Sequence, residues 1–158
     1  MAGKYFDEWQ VGTRIEHEIR RTVTETDNLM FTVMTHNAQP LHLDAEFAKA
    51  SEFGCILVNG TFTFSLMVGV SVSDTTLGTL VANLGYDKLV MPAPVFIGET
   101  LRAATTTAEL KDSKSRPAAG NGPLAHEMHN HRHAVGSRCR RVALGNGRSG
   151  ETRRERER

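Results

Sequence analysis

Asn37 and His42 lie five residues apart in the stretch Thr35-His36-Asn37-Ala38-Gln39-Pro40-Leu41-His42-Leu43-Asp44. An imidazole titrates near neutrality, so His42 can take a proton from water and deliver one to carbon within one cycle. The structural alternative is a histidine that closes the turn by hydrogen bonding. A carboxamide donates and accepts but cannot take a proton, so Asn37 can orient an attacking water. Equally, it can form an Asx turn ahead of Pro40. A second feature is Asn59-Gly60, at the start of an apolar segment. A helix beginning there presents an unpaired N–H and its positive end at Gly60, suited to a developing oxyanion. Gly60 would also suit a tight turn, and Asn59 either a helix cap or a substrate contact.

Helices should position these groups. Thr24-Glu25-Thr26-Asp27, followed by Leu29, Met30, Phe31, Val33 and Met34, predicts a capped helix near 25–35 with an apolar face turned inward. Pro40 ends that helix and restricts Gln39 before it. Asp44 can cap a short helix through Ala50, with Phe47 and Ala48 inward. Phe62, Leu66, Val68, Val70 and Val72 make the segment after Gly60 apolar on most sides, which predicts a buried helix. The remaining chain is strand-like. Residues 14–23 form an extended edge segment, Leu77 to Val90 and Val95-Phe96-Ile97 follow, and Leu101 to Leu110 alternates small residues with Thr. A curved antiparallel sheet wrapped around one apolar helix is the economical α+β arrangement. Beyond Pro117 two more strands are needed, yet residues 118–122 are rich in Gly and Ala and apolar residues stay sparse until Val142. Only Cys139 to Leu144 reads clearly as a strand, and an incomplete sheet would leave a damaged fold.

The length of 158 residues fits one domain, taken as 1–145, with a charged, solvated tail over 146–158. A net charge of +1 gives no electrostatic case for nucleic acid or a membrane surface. No signal peptide opens the chain, and Cys55 to Val72 is too short and too polar to span a bilayer. We therefore expect a soluble, cytoplasmic protein. Cys55 and Cys139 lack a CxxC spacing and read as reduced thiols, Cys55 as a buried one. His126, His129, His131 and His133 come without a carboxylate or thiol partner, so no metal site is assigned. Arg102, Lys114 and Arg116 could meet phosphate groups or form a solvated rim.

Four motifs together resemble the MaoC-like dehydratase family of hotdog-fold proteins, which includes R-specific enoyl-CoA hydratases. Thr35 to Asp44 is similar to its Thr-Gly-Asp-x-Asn-Pro-Leu/Ile-His-x-Asp turn. Phe53-Gly54 with Ile56 to Gly60 resembles Phe-Gly-x-Pro-Ile-x-His-Gly, and Pro94 to Leu101 resembles Pro-Val-x-x-Gly-Asp-Thr-Leu. Ser113 to Pro117 looks like a subgroup of mesaconyl-CoA or itaconyl-CoA hydratases. The likeness extends over residues 5–117 and fades over 118–144. It departs at His36, Asn37 and Gln39, where the family has Gly, Asp and Asn, and at Asn59, where it often has His. The resemblance implies a hydro-lyase acting across the α,β double bond of a short acyl-CoA thioester, with C4–C5 dicarboxylic chains suggested by the subgroup. It further implies His42 as general acid and base, Asn37 as water-orienting group and Gly60 N–H as oxyanion donor. Asn59, Pro40 and Arg116 would contact substrate. No metal or redox cofactor is implied, and the partners are the acyl-CoA and a second copy in a homodimer. A hotdog thioesterase and a non-catalytic acyl-CoA-binding subunit are the competing classes. A thioesterase ordinarily needs a carboxylate, which Asn37 does not supply.

Overall fold

The computed structural model describes residues 3–114, 119–130 and 137–146, the last of these as backbone only. In chain order these form β1 (Arg14–Thr22), α1 (Glu25–Met34), a 3-10 turn (Pro40–His42), α2 (Ala45–Ala50), α3 (Gly60–Thr75), β2 (Leu80–Val90), β3 (Thr100–Thr107), the short β4 (Lys111–Asp112), β5 (Ala119–Asn130) and β6 (Ser137–Asn146). The strands make one antiparallel sheet in the order β1-β3-β5-β6-β2, with β4 paired to β5. The α3 helix packs across β1, β3, β5 and β6. It turns Thr63, Met67, Val70, Ser71 and Thr75 into full burial. That spacing of three and four residues is one helical stripe. Its other side chains are half-buried or exposed, so the sheet covers one face of α3 rather than wrapping it completely. Met67 and Val70 meet Leu101 and Ala103 of β3 and Met128 of β5, and Val23, Val58 and Val95 close the same cluster.

Residues 118–144 depart most from expectation. β5 and β6 both form and complete the sheet, pairing with each other over ten positions from Ala119↔Asn146 to Met128↔Ser137. The reason they read poorly is that the inward face of β5 is partly polar. His126 and Asn130 are buried alongside Leu124 and Met128. Both are hydrogen bonded: His126 Nδ1 lies 2.8 Å from Thr105 Oγ1, and Asn130 Nδ2 donates to Glu99 Oε2 at 3.0 Å. Thr105 Oγ1 also lies 2.7 Å from His17 Nε2, and His17 Nδ1 lies 2.7 Å from Asp74 Oδ2. A buried polar group with partners loses much of its desolvation cost, so β5 needs fewer apolar residues than usual.

Four other expectations need correction. Val95-Phe96-Ile97 is not a strand; it contributes only an isolated bridge, Leu57↔Phe96. Phe47 is 50% exposed, and Ala48 alone of that pair is buried. Cys55 is exposed rather than buried. On α1, Leu29, Met30, Val33 and Met34 face outward, Met34 at 74% exposure, while Asn28 and Thr32 are buried. The inversion follows from the hydrogen bonds those two residues make, described below. The tail assigned to 146–158 falls outside the described residues after Asn146.

The local signals at helix starts are realised. Thr24 Oγ1 accepts from the Asp27 N–H, and Asp27 Oδ2 accepts from the Thr24 N–H at 2.8 Å. Asp44 Oδ1 accepts from the N–H groups of Glu46 and Phe47. Burial opposes ionisation of Asp27, but hydrogen bonds from Thr24 and the charge of Arg21 outweigh it and hold the carboxyl below its ordinary value of 3.8. A depressed carboxyl stabilises the fold above its unfolded value, and that contribution is lost as pH falls through the folded value. Asp27→Asn should therefore lower the unfolding free energy by about 1 kcal/mol at neutral pH. Urea unfolding across a pH series should show the two proteins converging in acid, below the ordinary carboxyl range.

Candidate active site

Pro40 opens a single 3-10 turn, with Gln39 held extended before it (φ −66°, ψ 115°). The turn closes through Asp44 N–H on the Pro40 carbonyl at 2.8 Å and Leu43 N–H on the same oxygen at 3.0 Å. His42 Nδ1 lies 2.8 Å from the carbonyl oxygen of Leu57. A carbonyl only accepts, so Nδ1 carries the proton and Nε2 is left with its lone pair in neutral imidazole. Leu57 N–H returns a bond to the Leu41 carbonyl at 3.2 Å, so the turn and the approach to α3 are joined twice. The structural reading of His42 is realised by Nδ1, while Nε2 has no hydrogen-bond partner among the described residues.

Asn28 makes the second connection. Its Nδ2 donates to the His42 carbonyl at 2.9 Å, and its Oδ1 accepts from the Asn59 N–H at 2.9 Å. Asn59 is the N-cap of α3; its Oδ1 accepts from Thr61 N–H at 3.0 Å and from Thr61 Oγ1 at 2.6 Å. Its Nδ2 donates to Thr32 Oγ1 at 3.3 Å. With the Thr61 donor taken, the Gly60 N–H at the first position of α3 stands among the first-turn donors that have no intrahelical acceptor.

His42 and Gly60 line one cavity of about 300 Å³ together with Thr63, Phe53, Val58 and the segment 91–95. Met91 covers Gly60 so closely that a Cβ on that residue would collide with the Met91 Sδ. The walls are otherwise apolar, and no carboxylate lies among the described lining residues. The structure thus brings His42 and Gly60 to one space. Asn37 is half-buried outside the lining, and its Oδ1 accepts from the Gln39 N–H at 3.1 Å, an Asx turn. Beside it, His36 is exposed and adopts a left-handed φ of 53°. Pro40 shapes the turn, and Asn59 caps the helix from a buried position; neither is among the described lining residues. Arg116 lies outside the described residues, as do His131 and His133. Among the described residues no group of three His, Cys, Asp or Glu side chains is placed to hold a metal. Sequence reasoning missed Asn28, Thr32 and Thr63. The first two are legible in retrospect as polar residues four apart, the second within an apolar run, a spacing that marks one face.

The family model for the MaoC-like domain matches residues 8–127. The chain belongs to the MaoC-like domain family. It is 33% identical over 114 residues to a mesaconyl-CoA hydratase of Cereibacter sphaeroides, a match covering 72% of this chain but 33% of that protein. It therefore spans about a third of that relative's length. Among solved structures, a monoamine oxidase regulatory protein from Archaeoglobus fulgius superposes with a TM-score of 0.83 at 31% identity, covering 94% of this chain and 97% of that one. A Mycobacterium tuberculosis protein described as a double hotdog fold superposes with a TM-score of 0.84 at 20% identity, covering 94% of this chain and 46% of the other. This MaoC-like chain has the hotdog fold. Among its described residues no helix is long and apolar enough to cross a membrane.

Asn28 ties the turn to the helix, so Asn28→Ala leaves the His42 carbonyl and the Asn59 N–H without their partner. Each orphaned group costs about 1–3 kcal/mol. Thermal unfolding should show a clear loss of stability, and Asn28→Asp should recover only the bond from the Asn59 N–H.

Proposed function

We propose that this chain is a hydro-lyase that adds or removes water across the α,β double bond of a short enoyl-CoA thioester. The observation that carries the reading is His42, held by Nδ1 on the Leu57 carbonyl with Nε2 free, in the same cavity as the Gly60 N–H. In hydration, Nε2 takes a proton from water as the water oxygen bonds to Cβ. The π electrons move through Cα toward the thioester oxygen, where the Gly60 N–H and the positive end of α3 stabilise the charge. The imidazolium then returns its proton to Cα, and dehydration is the reverse. Asn37 lies outside the described lining with its oxygen engaged in the turn, so a part in orienting the water would fall to its carboxamide nitrogen, as a donor only.

The mesaconyl-CoA hydratase relative and the Ser113 to Pro117 motif support a C4–C5 dicarboxylic acyl chain, with Arg116 as the cation that would meet a carboxylate or the CoA phosphates. The competing thioesterase reading is weakened because the described cavity walls supply no carboxylate to direct water at the carbonyl carbon. A homodimer fits the same reading. β2 is an eleven-residue strand at the edge of the sheet, with Leu84, Tyr86, Leu89 and Val90 exposed. Such an edge ordinarily has a partner, and Met91 just beyond it lines the cavity, so a second copy there would border the site. Light scattering should give the mass of two chains.

Absorbance of the enoyl-thioester band with crotonyl-CoA and mesaconyl-CoA tests the chemistry. Wild type should bleach the band, and His42→Ala should slow this by about 10²-fold or more, the usual size of general acid–base catalysis. Loss of the band with stoichiometric release of free thiol would establish a thioesterase instead, because hydrolysis destroys the same chromophore, whereas a hydratase bleaches it without releasing thiol. No change in either signal from folded protein would favour a binding subunit.

A further inference from the structure

The α3 helix carries six hydroxyl residues, and five have partners. Ser65 Oγ donates to the Thr61 carbonyl at 2.8 Å, Ser71 Oγ to that of Val68 at 2.7 Å, and Thr75 Oγ1 to that of Ser71 at 2.5 Å. Thr61 bonds to Asn59 Oδ1, and Ser73 Oγ reaches Asp74 Oδ1 at 3.3 Å. Bonding back to the preceding turn is the ordinary way a helical hydroxyl is satisfied. Thr63 does not do it. Its side-chain oxygen has no hydrogen-bond partner among the described residues, although the residue is only 2% exposed. Its N–H is already spent on the Asn59 carbonyl at 3.2 Å. A buried hydroxyl without a partner calls for an explanation.

Thr63 lines the cavity shared by His42 and Gly60. It follows Gly60 by three residues, about 4.5 Å along the axis and on nearly the same face of the helix. The remaining walls, among them Phe53, Val58, Pro94 and Val95, are apolar and offer a ligand oxygen nothing.

We propose that Thr63 Oγ1–H is a second donor to the thioester carbonyl oxygen, acting with the Gly60 N–H as a two-donor oxyanion site on the first turns of α3. The inference rests on the hydro-lyase reading for the identity of the thioester. A hydroxyl can rotate toward the oxygen as negative charge builds, so its contribution is greatest in the transition state and appears in kcat. In the free protein the same hydroxyl is unfavourable, because its desolvation is not offset by a partner.

Thr63→Val and Thr63→Ser test this in the full chain. The valine variant keeps the shape and removes the donor. Its kcat for crotonyl-CoA should fall by about 10²-fold, the usual loss for one oxyanion donor, with KM little changed. Its Tm in the absence of ligand should equal or exceed that of wild type, the opposite of what a structural role would give. Thr63→Ser should retain most of the rate. Infrared difference spectra of bound butyryl-CoA, which has no double bond to hydrate, report the donors directly. The thioester carbonyl stretch should shift to lower frequency on wild type and less on the valine variant. Wild-type turnover and an unchanged carbonyl frequency in Thr63→Val would overturn the proposal while leaving the hydratase intact. If wild type bound butyryl-CoA without turning over crotonyl-CoA, the hydro-lyase reading would fail, and the difference in carbonyl shift between the two proteins would alone decide the role of Thr63. Absence of any carbonyl shift on wild type would also overturn it.

Discussion

The two hydrogen bonds of the Asn28 side chain hold the site together. One goes to the His42 carbonyl and the other receives the Asn59 N–H, so a single buried carboxamide fixes α1, the 3-10 turn and the start of α3 relative to one another. Neither backbone group has a helical partner, since one ends a turn and the other precedes a helix. Burying them unpaired would be costly, which is why a polar side chain occupies the inner face of α1. Thr32, one turn further along, receives the Asn59 side chain and extends the contact. The apolar residues of α1 face outward as a direct consequence.

Precision at the mouth of α3 depends also on how the helix lies on the sheet. β3 turns Ala103 and Thr105 to the same face as Leu101, small side chains that permit close approach. Deeper in, apolar packing is supplemented by the chain Asp74–His17–Thr105–His126, in which one hydroxyl serves two imidazoles. The Thr105 hydroxyl lies within hydrogen-bond distance of both ring nitrogens, His17 Nε2 at 2.7 Å and His126 Nδ1 at 2.8 Å, and can donate to one while accepting from the other. Directional bonds of this kind fix position and rotation more narrowly than contact between methyl groups does. They anchor the C-terminal half of α3 through Asp74, while Asn59 and Asn28 anchor its start.

What results is a neutral site. Its imidazole has a tautomer set by a backbone carbonyl instead of a carboxylate, and the first turn of α3 brings an N–H without an intrahelical acceptor to the same cavity. Apolar walls lower the local dielectric, so each of these dipoles acts more strongly than it would in water. Met91 Sδ lies where a Cβ on Gly60 would stand, so a larger residue at the first position of α3 would have to displace the Met91 side chain from the cavity.

Much of this was open to local reasoning. The Thr24–Asp27 cap, the stop at Pro40, the Asp44 cap and the helix beginning at Asn59-Gly60 all follow from signals that act within four residues. The motifs around them carried the family and, with it, the hotdog fold. Tertiary structure alone decided which face of α1 is buried, because Asn28 finds its partners 14 and 31 residues away. It likewise decided that the apolar-poor segment after Pro117 makes two full strands, since His126 and Asn130 are satisfied by Thr105 and Glu99. Hydrophobic pattern measures what water expels; it does not measure what a distant hydrogen bond can hold inside. The orientation of His42 belongs to that second class, since its Nδ1 is held by the Leu57 carbonyl fifteen residues away and its ring is fixed only once the chain has closed.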